Sequence, residues 1–211
     1  IMDGVTSTAT EINLLDGGTS VGSSITLADA DGFIVNDGGT MKTIPASDIS
    51  TYAGGGFSEV DSWVLTANLS GDADPITSNL ARRSVTGWAA AKTGTGMSES
   101  SGIFTFPSTG QWLVSWQLQY YLNDDSRYDN YAIQVTTNNS SYSDIGQATA
   151  HIGRTHSGNT YMGVFGQTLI DVTDTANVKC RFKVAHHTGT AVTVGNHNGA
   201  HQMNFYRLAD T

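Results

Sequence analysis

The six histidines of this 211-residue chain, His151, His156, His186, His187, His197 and His201, are confined to one late stretch. Imidazoles bind transition metals and exchange protons near neutral pH. "HHTG" and "HNGAH" hold the close pairs, and Gly195 and Gly199 leave the second loop free to turn inward, so His197 and His201 are the candidate metal ligands. Asp124, Asp125 and Asp129 are the nearest approach to paired carboxylates. They stand among Asn, Ser, Arg and Tyr, and a solvated loop is the preferred reading. Ser, His and Asp all occur, but no nucleophile-elbow motif does. "DGGT" lacks the Gly-Lys-[Ser/Thr] of a phosphate loop. The single cysteine, Cys180, cannot form an intrachain disulfide. The sequence supports binding chemistry and no enzyme.

The formal charge is −9, and both halves of the chain are acidic. Neither offers the basic surface that a phosphate backbone requires, so nucleic acid is excluded as a partner. No run of about 20 apolar residues is present for membrane insertion.

Elements that position such residues must be short and extended. Charged residues make up only 14 %, and Gly is frequent at 24 residues. That composition suits strands and turns. Asn177–Val184 alternates strictly, which puts Val178, Cys180, Phe182 and Val184 on one face and Lys179, Arg181 and Lys183 on the other. Cys180 is thus expected to be a buried small hydrophobe. Trp112, Val114, Trp116, Leu118 and Tyr120 share one parity, as do Met203 and Phe205. "YMGVF" is apolar at both parities, as in a strand buried on both sides. Many short strands without helix-length patterns predict an all-β sandwich over residues 57–211.

Residues 1–56 read differently. They contain no Trp and few apolar side chains, and Gly54-Gly55-Gly56 is a junction. "TATEINLLDG" carries a capping-box start and predicts a short helix. "ADADGFIVNDGGTMKTI" predicts two strands joined at Asp37-Gly38-Gly39, and "PASDISTYA" another short helix. Each has one apolar side and too little surface to offset roughly 1–2 kcal/mol of backbone entropy per residue. Three copies side by side would share a core. Ile1-Met2-Asp3-Gly4 repeats as Leu14-Leu15-Asp16-Gly17, which leads us to expect the C-terminal piece of a longer repetitive fibre.

"VTSTATEINLLDG" and "LADADGFIVNDGGTMKTIPASDISTY" resemble the shaft repeats of tail-fibre proteins of tailed bacteriophages. "SGIFTFPSTGQWLVSWQL" is similar to the signature of C1q/TNF-like jelly-roll heads, with Gly102, Phe104, Pro107, Gly110 and Trp112 on its motif positions. "LIDVTDTANVKCRFKV" and "MNFYRL" resemble that family's last two strands. The resemblance implies a ten-stranded jelly roll, assembled as a tight trimer on the stalk. It implies trimer contacts from the inner-sheet strands, for which Tyr120, Met162, Val164, Phe165 and Phe205 are candidates.

Chain direction in such a fold gathers the connections Leu122–Asn130, Ile152–Thr160 and His186–His201 at the end away from the shaft. The receptor-binding candidates there are Asp124, Asp125, Arg127, Tyr128, His156, Asn159, His186, His187, His197, Asn198 and His201. No cofactor is implied, although His197 and His201 could share a metal ion on the three-fold axis. The resemblances together point to the receptor-binding tip of a trimeric tail fibre, at the distal end of a virion. Its partners would be its own copies and a bacterial surface glycan or outer-membrane protein. The alternative is a structural virion cap or decoration protein that registers three chains and binds nothing.

Overall fold

The computed structural model describes Gly4 and residues 26–53, 57–84, 92–196 and 200–211. The chain divides into two compact units, Ile1–Gly55 and Gly56–Thr211. The helix expected in "TATEINLLDG" lies outside the described residues. No helix among the described residues is long and apolar enough to cross a membrane.

In the first unit, β1 (Gly32–Asp37) and β2 (Thr40–Pro45) form an antiparallel hairpin, followed by helix α1 (Ala46–Ala53). The turn is Gly38-Gly39, both at positive φ, and Asn36 Oδ1 accepts the Gly39 N–H at 2.7 Å. Lys42 pairs with Asp37 across the hairpin. Not one described residue of this unit is buried. Leu27, Ile34, Met41 and Tyr52 are all exposed.

The second unit is an antiparallel two-sheet sandwich. One sheet contains β3 (Val60–Leu65), β4 (Leu69–Ser70), β5 (Leu80–Arg82), β6 (Lys92–Thr93), β9 (Gly110–Leu122), β12 (Thr160–Val172), β14 (Val192–Thr193) and β15 (Gln202–Ala209). β9 lies at its centre. It pairs along its whole length with β12 on one side, and on the other with β15 and then β14. The other sheet has the order β11-β10-β13-β8-β7. Its members are β7 (Ser98–Ser100), β8 (Ile103–Thr105), β10 (Ser126–Thr136), β11 (Ser143–Ile152) and β13 (Lys179–His186). The all-β sandwich expected from the sequence is thus observed, with short strands added beyond the ten expected.

Alternation fills the space between the sheets. Trp112, Val114, Trp116, Leu118 and Tyr120 of β9 face Cys180, Phe182 and Val184 of β13, all buried. Phe104 sits at the centre. Its ring meets Trp63 at 5.3 Å, Phe182 at 5.5 Å and Phe205 at 5.2 Å. Two motif glycines have steric reasons. A Cβ on Gly102 (φ +83°) would lie 2.1 Å from the Ile76 carbonyl oxygen, and one on Gly110 (φ +138°) 2.5 Å from that of Ala209. Gly102 is a turn position and Gly110 opens β9, and at both only glycine fits without strain.

The N-terminal strand of the unit is stapled by a buried carboxylate. Asp61 accepts hydrogen bonds from Trp63 Nε1 (2.9 Å), Arg82 Nη2 (3.0 Å) and the Met97 backbone N–H (2.7 Å). Arg82 also lies 4.9 Å over the Trp63 ring. The charge is tolerable in the interior because it is both paired and fully hydrogen-bonded.

Candidate functional site

β3 and β15 meet where the second unit begins. Arg207 N–H donates to the Glu59 carbonyl at 3.0 Å, and the Phe57 and Tyr206 rings lie 5.9 Å apart. The opposite end is built from three connections, 123–125, 153–159 and 187–191. Asp125 ties them together. Its carboxylate accepts the Arg154 N–H at 2.7 Å, and its carbonyl accepts the Thr188 hydroxyl at 3.4 Å. The expectation that these loops gather at one end therefore holds in part within this unit: of the connection His186–His201 only 187–191 lies there, because β14 pairs with β9 and the chain then leads to His201, buried against Trp116. The first loop is shorter than expected, since β10 already begins at Ser126.

The candidate residues divide sharply by burial. Asp124, Asp125, Arg127, Tyr128, His156, Asn159 and His187 are exposed. Asp124 Oδ1 accepts the Asp125 N–H at 2.8 Å, and His156 Nδ1 accepts the Gly158 N–H at 2.9 Å. The Tyr128 and His187 rings form an exposed pair with centroids 4.9 Å apart. His197 and Asn198 lie outside the described residues.

His186 and His201 are corrections. Both are buried: His186 is the last, inward residue of β13, and His201 directly precedes β15 with its ring against Trp116. His201 Nε2 accepts the Trp116 indole N–H at 3.1 Å, so that nitrogen is not free for a metal. Burial lowers the His201 pKa to about 3 and keeps the ring neutral. Among the described residues, no group of three or more His, Cys, Asp or Glu is placed to hold a metal ion.

Asp129 also departs from the solvated-loop reading. It belongs to β10 and its side chain is fully buried against His186, with Oδ1 3.1 Å from His186 Nδ1. The Tyr131 hydroxyl is 3.3 Å from the same nitrogen, and Thr193 Oγ1 is 3.3 Å from His186 Nε2. Burial and then the Tyr120 phenol raise the Tyr131 pKa, and burial and then the Asp129 charge raise that of Tyr120, so both phenols stay neutral. Asp129, His186 and Thr193 stand in the order of an acid, a base and a hydroxyl nucleophile. All three are buried, with no surface for a substrate to reach. The arrangement instead bridges the sheets, from β10 and β13 to β14. The sequence signal for it was the alternation of Asp129 with Tyr131 and Ile133.

The interface candidates also need correction. Tyr120 and Phe205 are fully buried inside the chain, and Met162 and Val164 pack against its core. None of these four lies on the open face of its sheet. Phe165 does, being 58 % exposed, and Tyr161 and Leu169 stand with it at 54 % and 61 %. "YMGVF" is therefore covered on one side only within the chain. Tyr121, Gln119, Gln117 and Leu113 of β9 pair with Tyr161, Gly163, Phe165 and Leu169 in register. No charged side chain stands on this part of β12 or its β9 partners. Cys180 is buried as expected, and burial raises its thiol pKa.

No protein-family model matches the chain, and no curated protein matches it in sequence. Solved structures do match in fold. The Eiger TNF of S. frugiperda superposes with a TM-score of 0.52 at 18 % identity, covering 74 % of this chain and 94 % of that one. Murine APRIL, in a crystal structure at pH 5.0, gives 0.51 at 11 % identity, covering 71 % and 98 %. Asp129, His186 and the open β12 face thus sit on a TNF-like jelly roll.

Proposed function

We propose that this chain is a self-associating binding module, a trimeric head that recognises a partner through the loops around Asp125. The observation that carries the reading is the row Tyr161, Phe165 and Leu169, each more than half exposed on an uncharged sheet face. Burying a large apolar side chain gains about 1.5–3 kcal/mol. Leaving three exposed on one strand marks an association surface. Second copies of the same chain fit it, since the amides and apolar groups there require no opposite charge.

The resemblance of residues 1–53 to tail-fibre shafts takes the reading further. The head is then the receptor-binding tip of a bacteriophage tail fibre, at the distal end of the virion, and its partner a glycan or protein of a bacterial surface. The exposed Asp124, Arg127, Tyr128, His156, Asn159 and His187 supply the recognition chemistry.

Two measurements test this. Sedimentation at micromolar concentration is expected to give three times the 22.3 kDa chain mass, and a monomer would overturn the assembly. The fluorescently labelled chain is expected to adsorb to cells of at least one strain in a bacterial panel. Trimers that adsorb to none would leave the structural cap as the better account.

A further inference from the structure

The geometry points to a neutral saccharide ring as the ligand of the corner formed by Tyr128 and His187. This rests on the recognition role proposed above and assigns it a place and a chemistry.

β10 and β13 run antiparallel with Asp129 opposite His186. That pair faces inward, so the residue before Asp129 and the one after His186 emerge together at the rim of the loop end. They are Tyr128 and His187. Their rings stand 61° apart, as a floor and a wall. The backbone beneath is fixed. His187 N–H lies 3.1 Å from the Tyr128 carbonyl and 3.3 Å from Asp129 Oδ1. The buried Asp129–His186 contact anchors both strands. A corner set before the ligand arrives avoids much of the ordering cost of binding.

The surroundings select the ligand class. Asp124 and Asp125 are matched by Arg127 and Arg154, and the exposed Asp72, which accepts the His186 N–H at 2.7 Å, adds a third carboxylate, so the surroundings disfavour an anion. Arg127 makes no hydrogen bond or ion pair with another described residue, and Asp124 uses one oxygen within its own turn. His151 of β11 stands across the bulge between Ser126 and Asp129. Donors and acceptors therefore stand on the strands and loops next to the aromatic pair. A pyranose presents a C–H face to such a floor and hydroxyls to such a rim. A protein partner needs roughly 800 Å² per side around an apolar centre. Here one aromatic pair is surrounded by polar groups. A single shallow corner binds weakly, and copies on an assembled head would gain by multivalency.

The test is a chemical-shift titration of the full chain with neutral oligosaccharides of glucose, galactose, mannose and N-acetylglucosamine. A glucuronic acid oligosaccharide serves as contrast. At least one neutral probe is expected to shift the Tyr128 and His187 ring signals in a saturable way. Tyr128→Ala should weaken that probe tenfold or more, while Tyr128→Phe, which keeps the floor, should stay within a few-fold. No ring shift with any neutral probe, binding of the acidic probe alone, or unchanged affinity in Tyr128→Ala would each overturn the inference. Cell adsorption separates the two readings. Adsorption that survives Tyr128→Ala removes the corner and leaves the recognition role, whereas an unaltered chain that adsorbs to no cell removes the role itself.

Discussion

The outward face around β13 is laced by charge. Lys183 lies 3.4 Å from both Asp74 and Asp144, and Arg181 reaches Asp74 at 3.1 Å and Gln134 at 2.6 Å. The outward face of β12 and β9 has amides, glycine and the apolar row of Tyr161, Phe165 and Leu169. Both sheets pack equally apolar inner faces against each other, so inward alternation alone does not distinguish them. What differs is the outward residue. A strand with Lys or Arg at every outward position ends its packing at solvent. A strand with Tyr, Phe and Leu there has packing left to do. The comparison teaches that one half of this sandwich is complete within the chain and the other leaves large apolar side chains uncovered.

The comparison requires a common interior, and the largest effect should come from breaking it. Phe104 is fully buried and touches aromatic rings of both sheets. Phe104→Ala is expected to cost about 3–5 kcal/mol. Denaturant unfolding should show the loss, with both faces lost in one transition. Two separated transitions would mean that the sheets are not one folding unit.

Acid should act on the same interior. His201 has a folded pKa of about 3 against 6.5 for an ordinary imidazole. Between those values the unfolded chain binds a proton there and the folded chain does not, so stability rises with pH. The contribution is complete above about 6.5 and is lost progressively as pH falls toward 3. Its full size is a few kcal/mol, at about 1.4 kcal/mol for each pKa unit. His201→Asn keeps an acceptor for the Trp116 indole and removes the titration. Its stability should depend less steeply on pH than that of the unaltered chain across this window. Equal slopes in the two proteins would show that His201 is not the group responsible.

A change on the open face should separate association from folding. Phe165→Asp places a charge among the uncharged neighbours. It is expected to yield monomers by sedimentation, while leaving a folded β-sheet spectrum. The underlying loss is about 1.5–3 kcal/mol for each buried ring. Trimers of Phe165→Asp with an unchanged melting temperature would mean that this face is not where copies meet.

Much of this was legible in the chain itself. The strands of the sandwich follow from period-two alternation, and the shared location of three loops follows from chain direction. Phe104, Gly102 and Gly110 stood out through the resemblance to C1q/TNF-like heads, and the structure supplies their steric reasons. What could not be read was parity in segments apolar on both sides. In "YMGVF", Met162 and Val164 face the interior and Tyr161 and Phe165 face out. Hydrophobicity is equal on the two sides, so only the register with β9 decides. Burial of polar residues was hidden for a similar reason. Asp129, His186 and His201 have the composition of loop residues, but Asp129 is an inward position of β10, His186 ends β13, and His201 directly precedes β15 with its side chain buried. Partners on other strands meet Asp129 Oδ1, both His186 nitrogens and His201 Nε2, and that pairing is not a sequence-local property.

The smallest effect is expected on the charged face, and it is the sharpest check on the comparison. Arg181 stacks 4.0 Å over the Tyr142 ring and reaches Asp74, whose side chain is 43 % exposed. Exposed ion pairs contribute between nothing and about 1 kcal/mol, because water already solvates both partners and salt screens them. Arg181→Ala should therefore cost about 1 kcal/mol or less, most of it from lost stacking and the Gln134 hydrogen bond. Raising the salt concentration should reduce the difference further. Oligomeric state should not change, since this face has no packing left to do. A large drop in melting temperature that grows with dilution would contradict this. It would mean that copies also meet through the charged face, and that the two outward faces are less different than their residues imply.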